Sequence, residues 1–595
     1  MKKRFQQILP LLIMFGMALI IIGSPLLKRE SINGVDTLFH MSATYEAARQ
    51  IQTGHFSYFL SIFSFAHSGR IVNALYGPLG GYFSGLLLVL SGSWFRWEML
   101  LNLIILVIAG CSMYQLTNFW QVNWSLKYLI SFLYMMTPPV MGFVWGLQFD
   151  GVGAAMIPWL ILIASRWLVT GRLEWLKLTF LMFLIAETHV FTVILSALAF
   201  LPCLMMALWI HRRHWQTVIT QLLMATGLTL VLTFNVWGSI LEVMSSNHHH
   251  FIPVFPVANM DQNPNDTVLL THQIPINQNL SIFGCVLTFW LVLISIIYLL
   301  DAIHLKQIPN LLMIFLGFGF IWLSTEWFPW RWFQKRFPIL DTDLQFPKRF
   351  MAVGLTIFLL ILAIMISQFR RAGRYLPGFR WLNWAMMILV VLTVGHTLMT
   401  AYGSAQIAEN RYQSRLVVFS PGLGSMSYLP GSNPQRIRNA IVGPNYGELF
   451  RWVAKPSPDY LPSNRSINSN AKYYHLHPYG GVVRQIYHNR IHPKFCPGNH
   501  HSLLASFKAS GRRKIILPVV KYAHTQVWLN GRQIRHPPLT KIGALVVRPQ
   551  FGINHLQIRY QPAIWYLFGI LISLVSWLIL IGWLIFRTFR YKKQP

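Results

Sequence analysis

Residues 345–350 read Gln345-Phe346-Pro347-Lys348-Arg349-Phe350, and the chain continues Met351-Ala352-Val353-Gly354-Leu355-Thr356-Ile357-Phe358-Leu359-Leu360-Ile361-Leu362-Ala363-Ile364-Met365-Ile366-Ser367. The second part is an uncharged apolar run long enough to cross a hydrocarbon core of about 30 Å. It leads into the basic stretch Arg370 to Arg380, as a cytoplasmic loop does. Comparable runs stand at 8–27, 99–118, 125–144, 150–168, 174–189, 190–210, 216–240, 280–300, 309–324, 380–401 and 563–587. They predict an α-helical polytopic membrane protein of about 12 spans. Composition agrees, with 54% hydrophobic and 11% charged residues in 595. The first run follows Met1-Lys2-Lys3-Arg4 without a small-residue cleavage site, so it reads as a retained anchor.

The other short basic loops are Arg166 to Lys177, His211-Arg212-Arg213, the turn at His304-Leu305-Lys306 and the tail Arg587 to Lys593. Placed inside together, they put both termini in the cytoplasm of a multi-pass cell-membrane protein. Residues 28–98 then form a first outer loop. Within it, Ile71 to Leu90 is apolar but is interrupted by Tyr76-Gly77-Pro78-Leu79-Gly80-Gly81, which breaks regular helix. It reads as a re-entrant or surface-lying segment, tolerated at depth only beside protein or a water-filled cavity.

The chain divides into a transmembrane unit (1–401), a polar unit (402–561) and a final span with a basic tail (562–595). The middle unit carries 21 Lys and Arg against Glu409, Glu448 and Asp459. So long a segment translocates regardless of its charge, so it reads as extracytoplasmic. Its second half alternates apolar and polar residues at Lys514–Leu517, Thr525–Leu529 (with Asn530-Gly531 as turn), Ala544–Val547 and Leu556–Tyr560. That pattern predicts a small β-sandwich. The net charge of +32 calls for anionic partners, and with much of it outside the cell nucleic acid fits least. Cys111, Cys203, Cys285 and Cys496 are scattered and show neither a disulfide framework nor zinc-type spacing.

Four polar clusters fall on the outer face, where charge beside apolar spans marks function. These are Asp36 and His40 with Tyr45-Glu46, then Gln148-Phe149-Asp150, then Glu187-Thr188-His189, and finally Trp327 to Phe350. Each has a plainer reading. Asp36 and Asp150 suit helix N-caps, and Glu187 and His189 suit ordinary interfacial polars. Asp341-Thr342-Asp343 imitates a metal-binding pair only over three residues. Trp327, Trp330 and Trp332 suit an interfacial aromatic belt, and His248-His249-His250 suits a solvated run.

In order and side these motifs resemble the GT-C superfamily of integral-membrane glycosyltransferases. Within it they resemble the bacterial YfhO-like group, whose relatives are also catalogued as membrane proteins related to 6-pyruvoyl-tetrahydropterin synthase. The resemblance runs over Gly34-Val35-Asp36 with His40, Tyr76-Gly77-Pro78-Leu79, Gly146 with Asp150 and Pro158, and Thr188-His189. It continues through Gln345-Phe346-Pro347-x-Arg349-Phe350, Asp459-Tyr460-Leu461-Pro462 and Tyr560. Lys348 stands where that group often has an aromatic residue, and no paired acidic motif follows span one. No pterin chemistry follows from the synthase-related name.

The resemblance implies transfer of a sugar from a polyprenyl-phosphate donor to an envelope polymer or lipid. Asp36 would act as base, with His40 beside it and Asp150 orienting the acceptor or a divalent metal such as Mg or Mn. Lys348, Arg349 and His189 would hold the donor phosphate, and Glu187, Tyr76 and Gln345 would contact substrate. An apolar wall beside Asp36 would raise its pKa towards useful basicity. Two other readings stay open, a transporter or flippase for a lipid-linked intermediate and a non-catalytic tether for envelope polymers. The first needs midplane charges and repeat symmetry, and neither is evident in the sequence.

Overall fold

The run that sets the class lies at the centre of the molecule. The computed structural model describes residues 2–29, 31, 36–247, 251–252, 296, 308–341, 344–372, 388, 391, 395, 427–463 and 470–592. Among these, six helices are long and apolar enough to cross a membrane: Trp94–Phe119, Asp150–Thr170, Val190–Ile210, Arg212–Leu232, Pro347–Gln368 and Ile564–Thr588. Pro347–Gln368 is 94% buried and Asp150–Thr170 83%, so these two form the axis, whereas Ile564–Thr588, 11% buried, presents its flanks outward. Ile8–Ile21, Pro78–Ser91, Trp175–Ala186 and Asn310–Ser324 are shorter apolar helices. The spans expected at 280–300 and 380–401, and His248-His249-His250, lie outside the described residues.

Two expected spans are broken, because run length counts apolar residues and says nothing about helix continuity. The run 125–144 divides into Trp124–Met135 and Pro138–Gly146. Pro138 lacks the N–H that would continue the first helix and suits the first position of the second. The run 216–240 divides at Thr233, whose hydroxyl bonds back to the Thr229 carbonyl at 2.8 Å, and Phe234–Ser246 follows as a separate helix.

Ile71 to Leu90 forms a short 3-10 turn, Asn73–Leu75, and then the helix Pro78–Ser91. Fourteen residues of helix rise about 21 Å, too little to cross. Gly77 enters the helix at φ 76°, and a Cβ there would lie 2.3 Å from the Glu187 carbonyl oxygen. Gly77→Ala should therefore cost about 2–3 kcal/mol through strain and clash together, read as a lowered unfolding midpoint.

The C-terminal sheets match the four expected strands and add three, besides a separate two-residue pair. After the two-residue pair β1 (Ser427–Tyr428) and β2 (Val453–Ala454) come β3 (Lys494–Gly498), β4 (Ser502–Ala509), β5 (Ile515–Val520) and β6 (Thr525–Leu529). β7 (Arg532–Gln533), β8 (Ala544–Val547) and β9 (Gly552–Tyr560) complete the set. One antiparallel sheet runs β3-β4-β9-β6-β7, and β5 pairs with β8 in another. Asn530 and Gly531, at φ 50° and 78°, make the β6–β7 turn with both central residues left-handed. Inward residues of both sheets, among them Leu503, Phe507, Leu517, Val527, Leu545 and Ile558, share one core.

The packing differs from a division at 402. Ile437, Ala440, Ile441, Tyr446 and Leu449 join the core of the membrane helices, where the Trp94 indole donates to the Tyr446 carbonyl at 2.8 Å. Conversely, Phe59, Leu60, Ile62 and Ile71 from the segment 28–98 join the sandwich core. Each unit thus completes the other's apolar interior. A composition shift along the chain does not reveal this, because it reports polarity and not partners.

Candidate functional site

Asp36 opens the helix Thr37–Thr53 but makes no capping hydrogen bond. Its carboxylate faces Lys455, with Nζ 3.3 Å from Oδ1 across 419 residues of sequence. Lys455 directly follows β2 and its side chain is only 6% exposed, against 47% for Asp36. The helix is held to the membrane bundle by the Thr37 hydroxyl, 3.3 Å from the Gly146 carbonyl. Below that contact, Leu147 at φ 51° ends Pro138–Gly146 and turns the chain so that Phe149 and Asp150 start the next span.

One turn beyond Asp36, the His40 ring lies over Phe149 at 4.2 Å and meets Tyr76 edge-on at 5.9 Å. Arg349 approaches Asp150 with Nε 3.9 Å from Oδ2. Its guanidinium donates to the Leu344 carbonyl at 2.8 Å and lies over the Phe346 and Phe191 rings at 4.9 and 5.2 Å. Lys348 interacts electrostatically with the same aspartate, and its ammonium is 5.5 Å from the Phe346 ring. The His189 ring shares a hydrogen bond with Thr192 at 2.8 Å and feels the charge of both Arg349 and His40.

The predicted residues Asp36, His40, Asp150, Lys348, Arg349, His189 and Tyr76 are therefore one cluster. Two others serve the backbone. The Glu187 carboxylate accepts from the Leu79 N–H at 3.0 Å and from the Asn235 amide, fixing the start of Pro78–Ser91. Gln345 is buried at φ 55°, its N–H bonded to the Leu340 carbonyl at 3.0 Å. Asp341 accepts from Gln334 at 2.9 Å, and Thr342 and Asp343 lie outside the described residues. Trp330 is buried against Phe350, while Trp327 and Trp332 are exposed as belt residues are.

The expected rise in the Asp36 pKa is not what the surroundings produce. Burial pushes it up, but Lys455 above all, with His40 and Arg349, outweighs burial, and the net shift is down. An apolar wall was foreseeable from sequence; a lysine from another unit was not. Burial dominates at His40, bringing it down to about 4 against the pull of Asp36, so the imidazole is neutral near pH 7. Burial and then Arg349 lower His189 as well, which makes it a neutral hydrogen-bonding group rather than a cation.

The sign of the Asp36 shift has a measurable consequence. A carboxyl with its folded pKa below 3.8 adds stability that is complete above that value and is lost as pH falls through the folded pKa. The stability difference between wild type and Asp36→Asn should shrink on acidification below about pH 4. In a Lys455→Met background, where burial is no longer outweighed, that pH-dependent difference should be much smaller or absent, as read from unfolding midpoints against pH.

Sequence reading missed Lys455 and Arg70. Arg70 is buried, donates to the Ser457 carbonyl at 2.8 Å and to the Asp459 carbonyl, and lies 4.9 Å from the Phe65 ring. It thereby fixes the segment that carries Lys455, Asp459 and Tyr460, and Tyr460 meets Tyr76 edge-on at 5.5 Å. Nothing local marks either residue.

Among the described residues no three His, Cys, Asp or Glu side chains converge as metal ligands would. Asp36 and Asp150 each already face a cation. This donor set does not fit a resident Mg or Mn ion. The set fits a hydroxylated, phosphate-bearing ligand instead, with carboxylates and fixed cations side by side over aromatic rings. Comparison of the chain with protein-family models and with curated proteins gives no match.

Proposed function

We propose that this chain is an outer-face glycosyltransferase that moves a sugar from a polyprenyl-phosphate donor onto an envelope polymer or lipid. The observation that carries the reading is a pair of buried atoms with no hydrogen-bond partner, Arg349 Nε and Asp150 Oδ1, beside the Asp36–Lys455 pair. Buried donors and acceptors are nearly always satisfied, so orphans in a charged cluster point to a ligand. The motif order that resembles GT-C enzymes supports the same reading, and so does the position of Asp150 and His189 at the starts of apolar helices long enough to span a membrane.

In this mechanism the acceptor hydroxyl oxygen bonds to the anomeric carbon of the donor sugar as the bond from that carbon to the phosphate oxygen breaks. The bonding electrons leave with the phosphate, and the hydroxyl proton passes to the Asp36 carboxylate. Arg349 and Lys348 take up the phosphate charge, Arg349 through the unused Nε–H. With its pKa lowered, Asp36 is ionised but a weak base, so it accepts the proton late, once bonding to carbon has made the hydroxyl acidic. Lys455 is a positioning residue that aims the carboxylate. Neutral His40 and His189 orient hydroxyls. Both termini would be cytoplasmic and the sandwich outside.

The test compares envelope glycopolymers and polyprenyl-phosphate sugars by mass in a deletion strain carrying either wild type or Asp36→Asn. A sugar modification restored only by wild type, with donor accumulating otherwise, supports the reading. Full restoration by Asp36→Asn overturns it and leaves transport or tethering.

A further inference from the structure

Resting on that reading, we infer that a cationic cleft at the far end of the β-sandwich is a binding site for a phosphodiester-linked polyol or sugar polymer, the anionic acceptor. The cleft measures about 460 Å³ and is lined by Arg512, Arg513, Lys514, Arg548, Pro549 and Gln550. Its four cations come from two turns that the sheet brings together. Arg512 to Lys514 precede β5, Arg548 follows β8, and Ile515 pairs with Val547. Lys514 and Arg548 therefore step off the same end of the β5–β8 ladder as neighbours.

Like charges held together across a ladder repel, and among the described residues no carboxylate pairs with them. The lining contains no carboxylate, and after Asp459 the chain carries no Asp or Glu at all. The wall is nonetheless built. Asn554, fully buried, accepts from the Gln550 N–H and donates to the Gln550 carbonyl, each at 2.8 Å, fixing the loop that follows Arg548. A cluster of exposed guanidinium and ammonium groups on this fixed backbone suits phosphate, which guanidinium binds through paired hydrogen bonds. Phe551, next along the chain, is 79% exposed and offers an aromatic face for a sugar or polyol stem.

Position decides between a polymer and the headgroups of the protein's own membrane. The β4–β5 and β8–β9 turns form one end of the sandwich, since Ala509 pairs with Gly552. The other end of β9 is Tyr560, four residues before the final helix Ile564–Lys592. Eight strand steps separate those ends by about 26 Å. The Tyr560 end is tied to the helical body through Glu242, which accepts from the Ala563 N–H at 3.0 Å and from Tyr560 at 3.3 Å. The cleft is at the free end, placed to hold a chain that extends away from the bilayer.

The test measures binding of a synthetic glycerol-phosphate oligomer to the full-length protein in nanodiscs of zwitterionic lipid. One variant carries Arg512→Gln, Arg513→Gln, Lys514→Gln and Arg548→Gln. A charge-matched control carries Lys494→Gln, Arg532→Gln, Arg535→Gln and Lys541→Gln, all exposed and outside the cleft. The cleft variant should bind about tenfold more weakly or worse, with a salt dependence shallower by roughly two to four phosphate contacts. The control should stay within about threefold of wild type.

Equal loss in both variants would reduce the effect to net charge and overturn the site. So would absence of binding by wild type, or cleft-dependent capture of phosphatidylglycerol vesicles in preference to the oligomer. Binding is also read in Asp36→Asn. Retention there with transfer abolished supports both readings. Cleft-dependent binding by an enzyme that never transfers sugar supports the site and removes the transferase.

Discussion

Arg349→Met should lower sugar transfer by about 10³-fold, with Arg349→Lys recovering only a small part of it. The guanidinium is positioned by the Leu344 carbonyl and by the Phe346 and Phe191 rings, and its Nε–H, 3.9 Å from Asp150 Oδ2, makes no hydrogen bond. A departing phosphate gains charge as the bond to the sugar breaks, and a fixed donor aimed at it acts mainly on that stage. Lysine keeps the charge but loses the planar fork, so its ammonium cannot both hold the loop and meet the phosphate. The measurement is single-turnover transfer by purified protein with a short-chain polyprenyl-phosphate sugar. The loss should fall on the rate at saturating donor more than on donor affinity. An Arg349→Met enzyme within about threefold of wild type would remove the phosphate-holding role.

Glu46→Ala should destabilise the protein by about 4–6 kcal/mol, enough to deplete folded protein from the membrane. Glu46 is 1% exposed, on the helix that begins just after Asp36. Its carboxylate accepts three backbone N–H groups, from Ile62 and Phe63 at 2.8 Å and from Ser64 at 2.7 Å, and also the Gln50 amide at 2.9 Å. Alanine leaves those donors buried without an acceptor, each at a cost of about 1–3 kcal/mol. The loop they organise supplies Phe59, Leu60 and Ile62 to the sandwich core, so its loss should also free the C-terminal unit. Proteolysis of membranes carrying the variant should cut residues 55–75 and the sandwich together. Glu46→Gln keeps one of the two acceptor oxygens but turns an amide NH2 towards the other two donors, so it should still lose about half as much stability or more.

Sequence located much of the candidate site one residue at a time. Asp36, His40, Asp150, His189 and Arg349 stand out because polar groups beside long apolar runs are costly and few. Their convergence depends on turns that run length does not report, such as the left-handed Leu147 and the break at Pro138. Glu187 was legible as unusual but not as structural, since its partners Leu79 and Asn235 come from distant segments.

The sequence by itself determined that this is a helical membrane protein with a basic β-rich unit near its C-terminus. Hydropathy and strand alternation are local, and they fix what each segment buries. Tertiary structure alone decided that Lys455 meets Asp36 and reverses its expected pKa shift, and that residues 427–454 belong to the helical core. It also decided that four cations from two turns face one cleft. Those outcomes turn on which surfaces touch across hundreds of residues, and the local pattern of a chain specifies what is sticky without naming what it sticks to.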